Sequence, residues 1–290
     1  MVFRSIRRKS FSGELDQNMK PQISILMANY NKAEYLKDSI VSVRKQTNPN
    51  WELVIVDDSS SDESMEIIRN FVKKDSRIMC YRNKKNSGIA YTQNRLAKLA
   101  TAPILGILDS DDTLAPEAIE TVLKAYHNHP ESGFIYSQFA YTDIFLHPYK
   151  RGECASIPTN QSNLTADCVS HFKTFRKSLY LKTEGYRSDL SPAEDMDMIL
   201  KLEELTNFYF IDKILYYYRM LPNSFSHGST KEDYGRLGYI IAVCEARKRR
   251  MGTNIPSLSF SLFVRRFIEG IYLSIKLHDI TKIKLLSKLL

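Results

Sequence analysis

The chain has 290 residues, 43% of them hydrophobic and 26% charged, with 41 Lys and Arg against 33 Asp and Glu. Such a composition is too apolar for a disordered chain, and 11 Gly with 10 Pro exclude a collagen-like or low-complexity one. The net charge of +8 sits at the ends, +3 in residues 1–20 and +7 in residues 231–290 against −2 between them, so the body is no basic nucleic-acid-binding surface and no nucleic-acid partner is expected.

Residues 1–20 read as a basic tail: the cluster Arg4, Arg7, Arg8 and Lys9 is followed by polar residues, not by the apolar core of a secretion signal. No stretch approaches the ~20 apolar residues of a membrane span. From residue 21 onward, short β-rich runs at 23–27, 53–56, 78–81, 104–108 and 134–136 alternate with helix-like segments at about 34–46, 62–74, 88–100 and 116–127. That rhythm predicts an α/β fold, a mostly parallel sheet flanked by helices on both faces. Ser60-Ser61-Asp62-Glu63 supplies a start signal for the second helix.

After about residue 140 the rhythm breaks. A polar stretch at 150–170 precedes a helix predicted at 194–206, a strand-like Phe208-Tyr-Phe-Ile211 and an aromatic run at Tyr216-Tyr-Tyr218. Residues 231–290 read as a basic, amphipathic helical extension of the 21–230 body, with Phe263, Phe267, Ile271 and Ile275 in one stripe beside Val264, Ile268 and Tyr272. Packing of this extension on the body is the default reading; the alternative is peripheral contact of the C-terminal helices with an anionic membrane. Cys80, Cys154, Cys168 and Cys244 are scattered without a C-x-x-C pair, which argues against structural zinc and a disulfide framework and for a cytoplasmic protein. The sequons at Asn160 and Asn163, with no signal sequence, read as chance matches.

In open α/β sheets ligands bind beyond the carboxyl ends of the strands. Here those ends are acidic: Leu53-Val-Ile-Val56 runs into Asp57-Asp58-Ser-Ser-Ser-Asp62, and the strand at 104–108 into Asp109-Ser-Asp111-Asp112. No G-x-G-x-x-G follows the first strand and no G-x-x-x-x-G-K-[ST] occurs, which argues against a dinucleotide oxidoreductase and a P-loop NTPase. Three carboxylates within four residues repel unless a cation joins them, and Mg²⁺ is commonly shared between carboxylates and substrate phosphates. A calcium loop fails, because Leu114 stands where Gly is needed and Pro116 interrupts the ligand run. A solvated acidic turn remains open.

The order Ile23-Ser-Ile-Leu-Met-Ala-Asn-Tyr30-Asn-Lys-Ala-Glu-Tyr-Leu36, Gln46-Thr47, Val54-Ile-Val-Asp57-Asp58-Ser-Ser-Ser-Asp62, Asn86-Ser-Gly88 and Leu108-Asp-Ser-Asp-Asp112 closely resembles the family 2 glycosyltransferases. Phe175-Arg-Lys, Gly185-Tyr-Arg, Ala193-Glu194-Asp195-Met-Asp197, Tyr218-Arg219 and Pro222-Asn-Ser224 continue it, so that it covers about residues 21–227. The resemblance implies a GT-A fold, an inverting mechanism and a Mn²⁺ or Mg²⁺ ion. By position Asp58 matches the carboxylate that accepts from the base of the nucleotide, with Asp57 its neighbour and Ala28, Asn29 and Tyr30 lining the nucleoside pocket. Gly88, Asn94, Asp109 and Ser110 fall among the nucleotide-sugar contacts. Asp109 and Asp111 match the D-x-D element that holds the metal, joined by Asp112; His227 lies where some members supply a further ligand. Asp195 matches the catalytic base, and it also suits a helix start stabilised by the dipole.

Ser59 departs from the family's usual Gly, Gln93 from an Arg and Leu221 from a His, and the acceptor-channel motif Q-x-x-R-W of processive members is missing, the single Trp51 lying elsewhere. The expectation is a cytoplasmic, non-processive, metal-dependent enzyme. It would move a hexose or N-acetylhexosamine from a UDP-sugar donor to a hydroxyl of a glycan or lipid-linked saccharide acceptor in surface polysaccharide synthesis. A sugar nucleotidyltransferase and a non-catalytic nucleotide- or glycan-binding scaffold are the rival readings. The first would need a Gly-rich loop bearing Arg and Lys after the first strand, which Ala28-Asn-Tyr-Asn-Lys32 is not.

Overall fold

The computed structural model describes residues 20–190, 192–221, 229–253 and 255–289. Strands β1 (Ile23–Asn29), β2 (Trp51–Asp57), β3 (Ile78–Arg82) and β4 (Ile104–Ile107) alternate with helices α1 (Ala33–Arg44), α2 (Ser64–Val72) and α3 (Ile89–Leu99). They pair in parallel in the order β3-β2-β1-β4. Every residue of β2 and β4 is buried, as a strand covered on both faces requires. The chain steps outward from β1 to β3 and returns to β4 on the other side. That reversal opens a crevice at the carboxyl ends of β1 and β4.

The second half is mixed, which the strand-helix rhythm did not foreshadow. β5 (Thr113–Leu114) and α4 (Ala118–Asn128) lead into β6 (Ser132–Thr142), followed by β7 (Pro148–Arg151), α5 (Asn163–Ala166), β8 (Thr174–Arg176), α6 (Lys177–Tyr180), α7 (Glu194–Glu203) and β9 (Asn207–Arg219). β8 inserts antiparallel between β4 and β6, and β9 runs parallel to β6 and antiparallel to β5. Phe208–Ile211 and Tyr216–Tyr218, read as separate from sequence, belong to one strand of 13 residues whose register against β6 shifts at Ser137 and Gln138. Asn163 is fully buried, its Oδ1 accepting from the backbone N–H groups of Cys168 and Val169, so that sequon is occupied by the fold.

Helices α8 (Ser229–Arg250), α9 (Phe260–Lys276) and α10 (Ile280–Ser287) form the C-terminal extension. They share a second apolar cluster, in which Leu200 of α7 meets Leu237, Ile240 and Ile241 of α8, Phe263 and Leu273 of α9 and Leu286 of α10. α7 joins both cores, because Met198, Ile199 and Leu202 pack into the sheet core. A fully buried Arg250 anchors α8: it pairs with Glu203 (2.9 Å) and Glu204 (3.1 Å) and donates to Ser162 Oγ and the Leu200 and Pro256 carbonyls. Removing one member of a buried charge network strands the rest. Arg250→Met is therefore expected to lower unfolding free energy by about 3 kcal/mol in urea titration, and a loss below about 1 kcal/mol would show that the network adds little.

Candidate active site

The turn after β2 is tied together by its own acids. Asp57, fully buried, accepts from Asn29 Nδ2 (2.9 Å), from the Ser60 hydroxyl and from the Ser60 backbone (3.0 Å), and it pairs with Arg82 Nε (3.3 Å). Asp58 accepts from Asn83 Nδ2 (2.6 Å) and from the backbone N–H groups of Ser87 (2.9 Å) and Gly88 (2.8 Å). Asp57 thus builds the turn, and Asp58 stitches it to the start of α3. Ser59 between Asp58 and Ser60 sits at φ 67°, a left-handed conformation that Gly enters freely, which is the physical reason Gly suits this position. Ala28 and Asn29 end β1 beside this turn, and Tyr30 follows, about half exposed.

Not every predicted contact lies free on this rim. The Asn94 carboxamide is committed to the chain: Oδ1 accepts from the Tyr180 hydroxyl (2.7 Å) and the Tyr186 N–H (2.8 Å), and Nδ2 donates to the Tyr186 carbonyl (2.7 Å). Gly185, at φ 79°, makes room for it, since a Cβ there would meet Asn94 Oδ1 at 2.5 Å. Gln93 is buried with no partner for its Oε1 among the described residues, and Leu221 is buried. His227 lies outside the described residues.

The acids after β4 diverge. Ser110 is buried and its carbonyl accepts from Ser39 Oγ. Asp111 forms an ion pair with Lys32 at 2.6 Å. Asp112 turns inward, accepting from the Tyr216 hydroxyl and the Arg219 N–H, each at 2.7 Å. Arg219 itself is buried, donating to the Asp111 and Ile144 carbonyls, pairing with Asp38 and lying 4.8 Å from the centre of the Tyr35 ring. Asp109 lines a cavity of about 470 Å³ that Asp195 also lines.

That cavity brings the two ends of the predicted chemistry together. Asp195 is the second residue of α7; its Oδ1 accepts from the Met196 N–H (2.8 Å) and its Oδ2 from Lys173 Nζ (3.0 Å). Phe139, Tyr141 and Tyr218 form an aromatic wall, and His171 and Lys173 line the cavity between the acids. Sequence reasoning missed Lys173 and His171. The only signal was their place just before the Phe175-Arg-Lys motif, and nothing local says that β8 will insert beside β4 and carry them to the acids.

Electrostatics separate the carboxylates. Burial and the nearby Asp111 charge push Asp109 up to about 6, and burial with the Asp111 and Asp109 charges pushes Asp112 well above the ordinary range. The surrounding protein would raise Asp195 too, but the Lys173 ammonium and the Met196 N–H outweigh it and hold that carboxyl below its ordinary value. Lys173 is raised, because attraction to Asp195 and Asp109 exceeds its desolvation. His171 is depressed to about 3 by burial and by Lys173, so its ring is neutral at physiological pH. Ligand atoms of Asp109, Asp112 and His171 lie within 4.8 Å of one another.

Known proteins share the sequence pattern and the fold of this chain. The pattern of the family described as glycosyl transferase family 2 matches residues 24–183. A chondroitin synthase of Escherichia coli is 30% identical over 196 residues, 68% of this chain and 28% of that protein. A hyaluronan synthase of Pasteurella multocida is 30% identical over 203 residues, 69% of this chain and 20% of that protein. The chain therefore spans a fifth to somewhat over a quarter of the length of these two relatives. Among solved structures, Staphylococcus aureus TarS 1–349 in complex with UDP-GlcNAc has a TM-score of 0.65 at 18% identity, over 88% of this chain and 73% of that one. A mannosyltransferase from Pyrobaculum calidifontis in complex with GDP-Man and Mn²⁺ has a TM-score of 0.59 at 13% identity, over 94% and 74%. With its GT-A architecture and a family pattern extending over more than half of its residues, the chain belongs to glycosyl transferase family 2.

Proposed function

We propose that this enzyme moves a hexose or N-acetylhexosamine from a UDP-sugar to a hydroxyl of a glycan or lipid-linked saccharide, with inversion, in surface polysaccharide synthesis at the cytoplasmic side of the membrane. One observation carries the reading: Asp109, from the strand-end acid turn, and Asp195, from the start of α7, line one cavity together with Lys173, which is ion-paired to Asp195. The synthases named above and the UDP-GlcNAc complex of TarS support the donor and the pathway class.

Inverting transfer requires a base on the acceptor side. Asp195, kept ionised by Lys173, takes the proton of the acceptor hydroxyl as that oxygen bonds the anomeric carbon and the nucleoside diphosphate departs with the electron pair of the broken bond. Its position at a helix start, with both oxygens already held, fixes the direction from which the hydroxyl must approach. The aromatic wall of Phe139, Tyr141 and Tyr218 offers apolar faces against which a saccharide ring can lie. On the donor side the rim of Ala28, Asn29, Tyr30, Asp58 and Gly88 would hold the nucleoside.

The acid turn suits a divalent cation. Burial and mutual repulsion leave Asp109 and Asp112 reluctant to ionise, a deficit that a hard cation with oxygen ligands relieves. Asp109 and Asp111 would hold Mn²⁺ or Mg²⁺, with Asp112 and His227 as further candidates; the Asp111 carboxylate, now paired with Lys32, would exchange that partner for the ion. When bound, the ion neutralises charge developing on the leaving diphosphate.

Three outcomes follow. A rise in thermal midpoint with UDP plus Mn²⁺, but not with UDP alone, is expected in the native chain and lost in Asp111→Asn; no rise with any nucleotide would overturn the donor assignment. Asp195→Asn and Lys173→Met should keep that rise while transfer falls by about 10²-fold or more in the first, and Lys173→Arg should recover part of what Lys173→Met loses. The third concerns stability without metal. The folded pKa of Asp109, about 6, exceeds its ordinary 3.8, so ionisation opposes folding increasingly from about pH 4 to pH 6 and fully above it. Asp109→Asn should thus stabilise the metal-free protein by about 1–2 kcal/mol at pH 7.5, allowing for solvent screening, with the gain fading toward pH 4. A gain independent of pH would sink this account.

A further inference from the structure

α9 is apolar on two sides, and the fold uses only one of them. Its inner side, Phe263, Gly270, Leu273 and Ser274, is buried against α8 and α10. Gly270 marks the closest approach, since a Cβ there would lie 3.0 Å from Ile240 and 3.1 Å from Leu286. The outer side carries Phe260, Val264, Ile268, Tyr272 and Ile275, spaced by four, four, four and three residues. Four of these are 59–70% exposed and Val264 is 36% exposed. Ile280, at the start of α10, is 66% exposed. Large apolar side chains in a continuous exposed row mark an interaction surface.

Charge selects the partner. Residues 251–290 hold six Lys and Arg but only two acids, Glu269 and Asp279. Both acids are engaged: Glu269 pairs with Arg236 and Arg266, and Asp279 caps α10 by accepting from the Lys282 N–H. Arg265, Lys284 and Lys288 are exposed, and among the described residues none of the three has an acidic partner. A second copy docked face to face would oppose like charges. Residues 1–20 of the same chain, with five basic and two acidic side chains, are also of the wrong sign. No helix among the described residues is long and apolar enough to cross a membrane. An apolar row flanked by unpaired cations fits a surface that is anionic outside and hydrocarbon beneath.

We infer that the outer face of α9 docks on an anionic lipid surface, the Phe260 to Ile275 row entering the headgroup boundary and Arg265, Lys284 and Lys288 meeting lipid phosphates. α9 packs on α8, which packs on α7, so this contact would hold the helix carrying Asp195 at a set distance from the surface.

The full chain, with no nucleotide or acceptor added, is sedimented with vesicles of phosphatidylcholine alone and of phosphatidylcholine mixed with phosphatidylglycerol, so the outcome is independent of donor and acceptor identity. Binding is expected only to the mixed vesicles, weakened by salt. It should fall at least tenfold in Ile268→Asp with Tyr272→Asp, and roughly fivefold for each of Lys284→Glu and Lys288→Glu. A second measurement guards against misfolding of the acidic variants. The chain's one Trp, Trp51, is buried in β2, so Tyr272→Trp adds an exposed reporter. Its emission should shift to the blue with mixed vesicles and stay unchanged with phosphatidylcholine alone. No binding of the native chain to mixed vesicles, or no blue shift of a variant that binds them, overturns the proposal. So does concentration-dependent dimerisation abolished by Ile268→Asp without vesicle binding, which would assign the face to a second copy.

Discussion

Carboxylates gathered at one end of a sheet repel one another, and the rest of this site is organised around that repulsion. Of Asp57, Asp58, Asp109, Asp111, Asp112 and Asp195, all but Asp109 are answered by a bonded partner. Asp57 takes Asn29, Ser60 and Arg82, Asp58 takes backbone N–H groups and Asn83, Asp111 takes Lys32, and Asp112 takes Tyr216 with the Arg219 N–H. Asp195 takes Lys173. Asp109 is left with repulsion and burial outweighing its distant cations, which is why its affinity for protons rises. The turn is left holding an electrostatic debt that a ligand can discharge.

The partners come from far along the chain, so the site depends on the second half of the sheet as much as on the first. Arg219, the last residue of β9, reaches the Asp111 and Ile144 carbonyls and the Asp38 carboxylate at once. It thereby fixes the acid turn against α1 and against the turn after β6. Lys173 arrives by another route. Its carbonyl accepts from the Ile107 N–H, which sets the residue directly beside the last residue of β4, and its ammonium then reaches Asp195 of α7. Because β8 pairs with both β4 and β6, its side chains cannot shift without disturbing two strand registers.

This dependence on distance explains what could be read in the sequence and what could not. The parallel half was legible because each strand and helix announces itself locally: α1, α2, α3 and α4 fall within about two residues of where periodicity puts them. The strand-end acids were legible for the same reason, since a run of apolar residues ending in Asp needs no tertiary knowledge. The insertion of β8 was not, because three residues carry no periodicity. β9 was seen as two fragments because Asp212 and Lys213 interrupt its apolar pattern and its pairing with β6 slips in the same region. Lys173 and His171 reach the cavity only through that insertion. Asn94 shows the opposite failure: the motif names the residue, but a carboxamide surrounded by Tyr180 and Tyr186 is spent on bracing the chain.

α9 presents a third case, in which the pattern was visible but could not be oriented. Phe263, Phe267, Ile271 and Ile275 form one row and Val264, Ile268 and Tyr272 the next, so periodicity alone allows either to face inward. What decides is size. Gly270 and Ser274 permit close approach to α8 and α10, and they lie on the side of Phe263 and Leu273, which therefore turns inward. Ile275 goes outward with Val264, Ile268 and Tyr272, leaving the row read from sequence divided between the two faces. The outer face adds nothing to the packing of the fold and costs solubility in water. Its burial must therefore come from something outside the described fold, and the exposed basic residues beside it determine the sign of charge that something must carry.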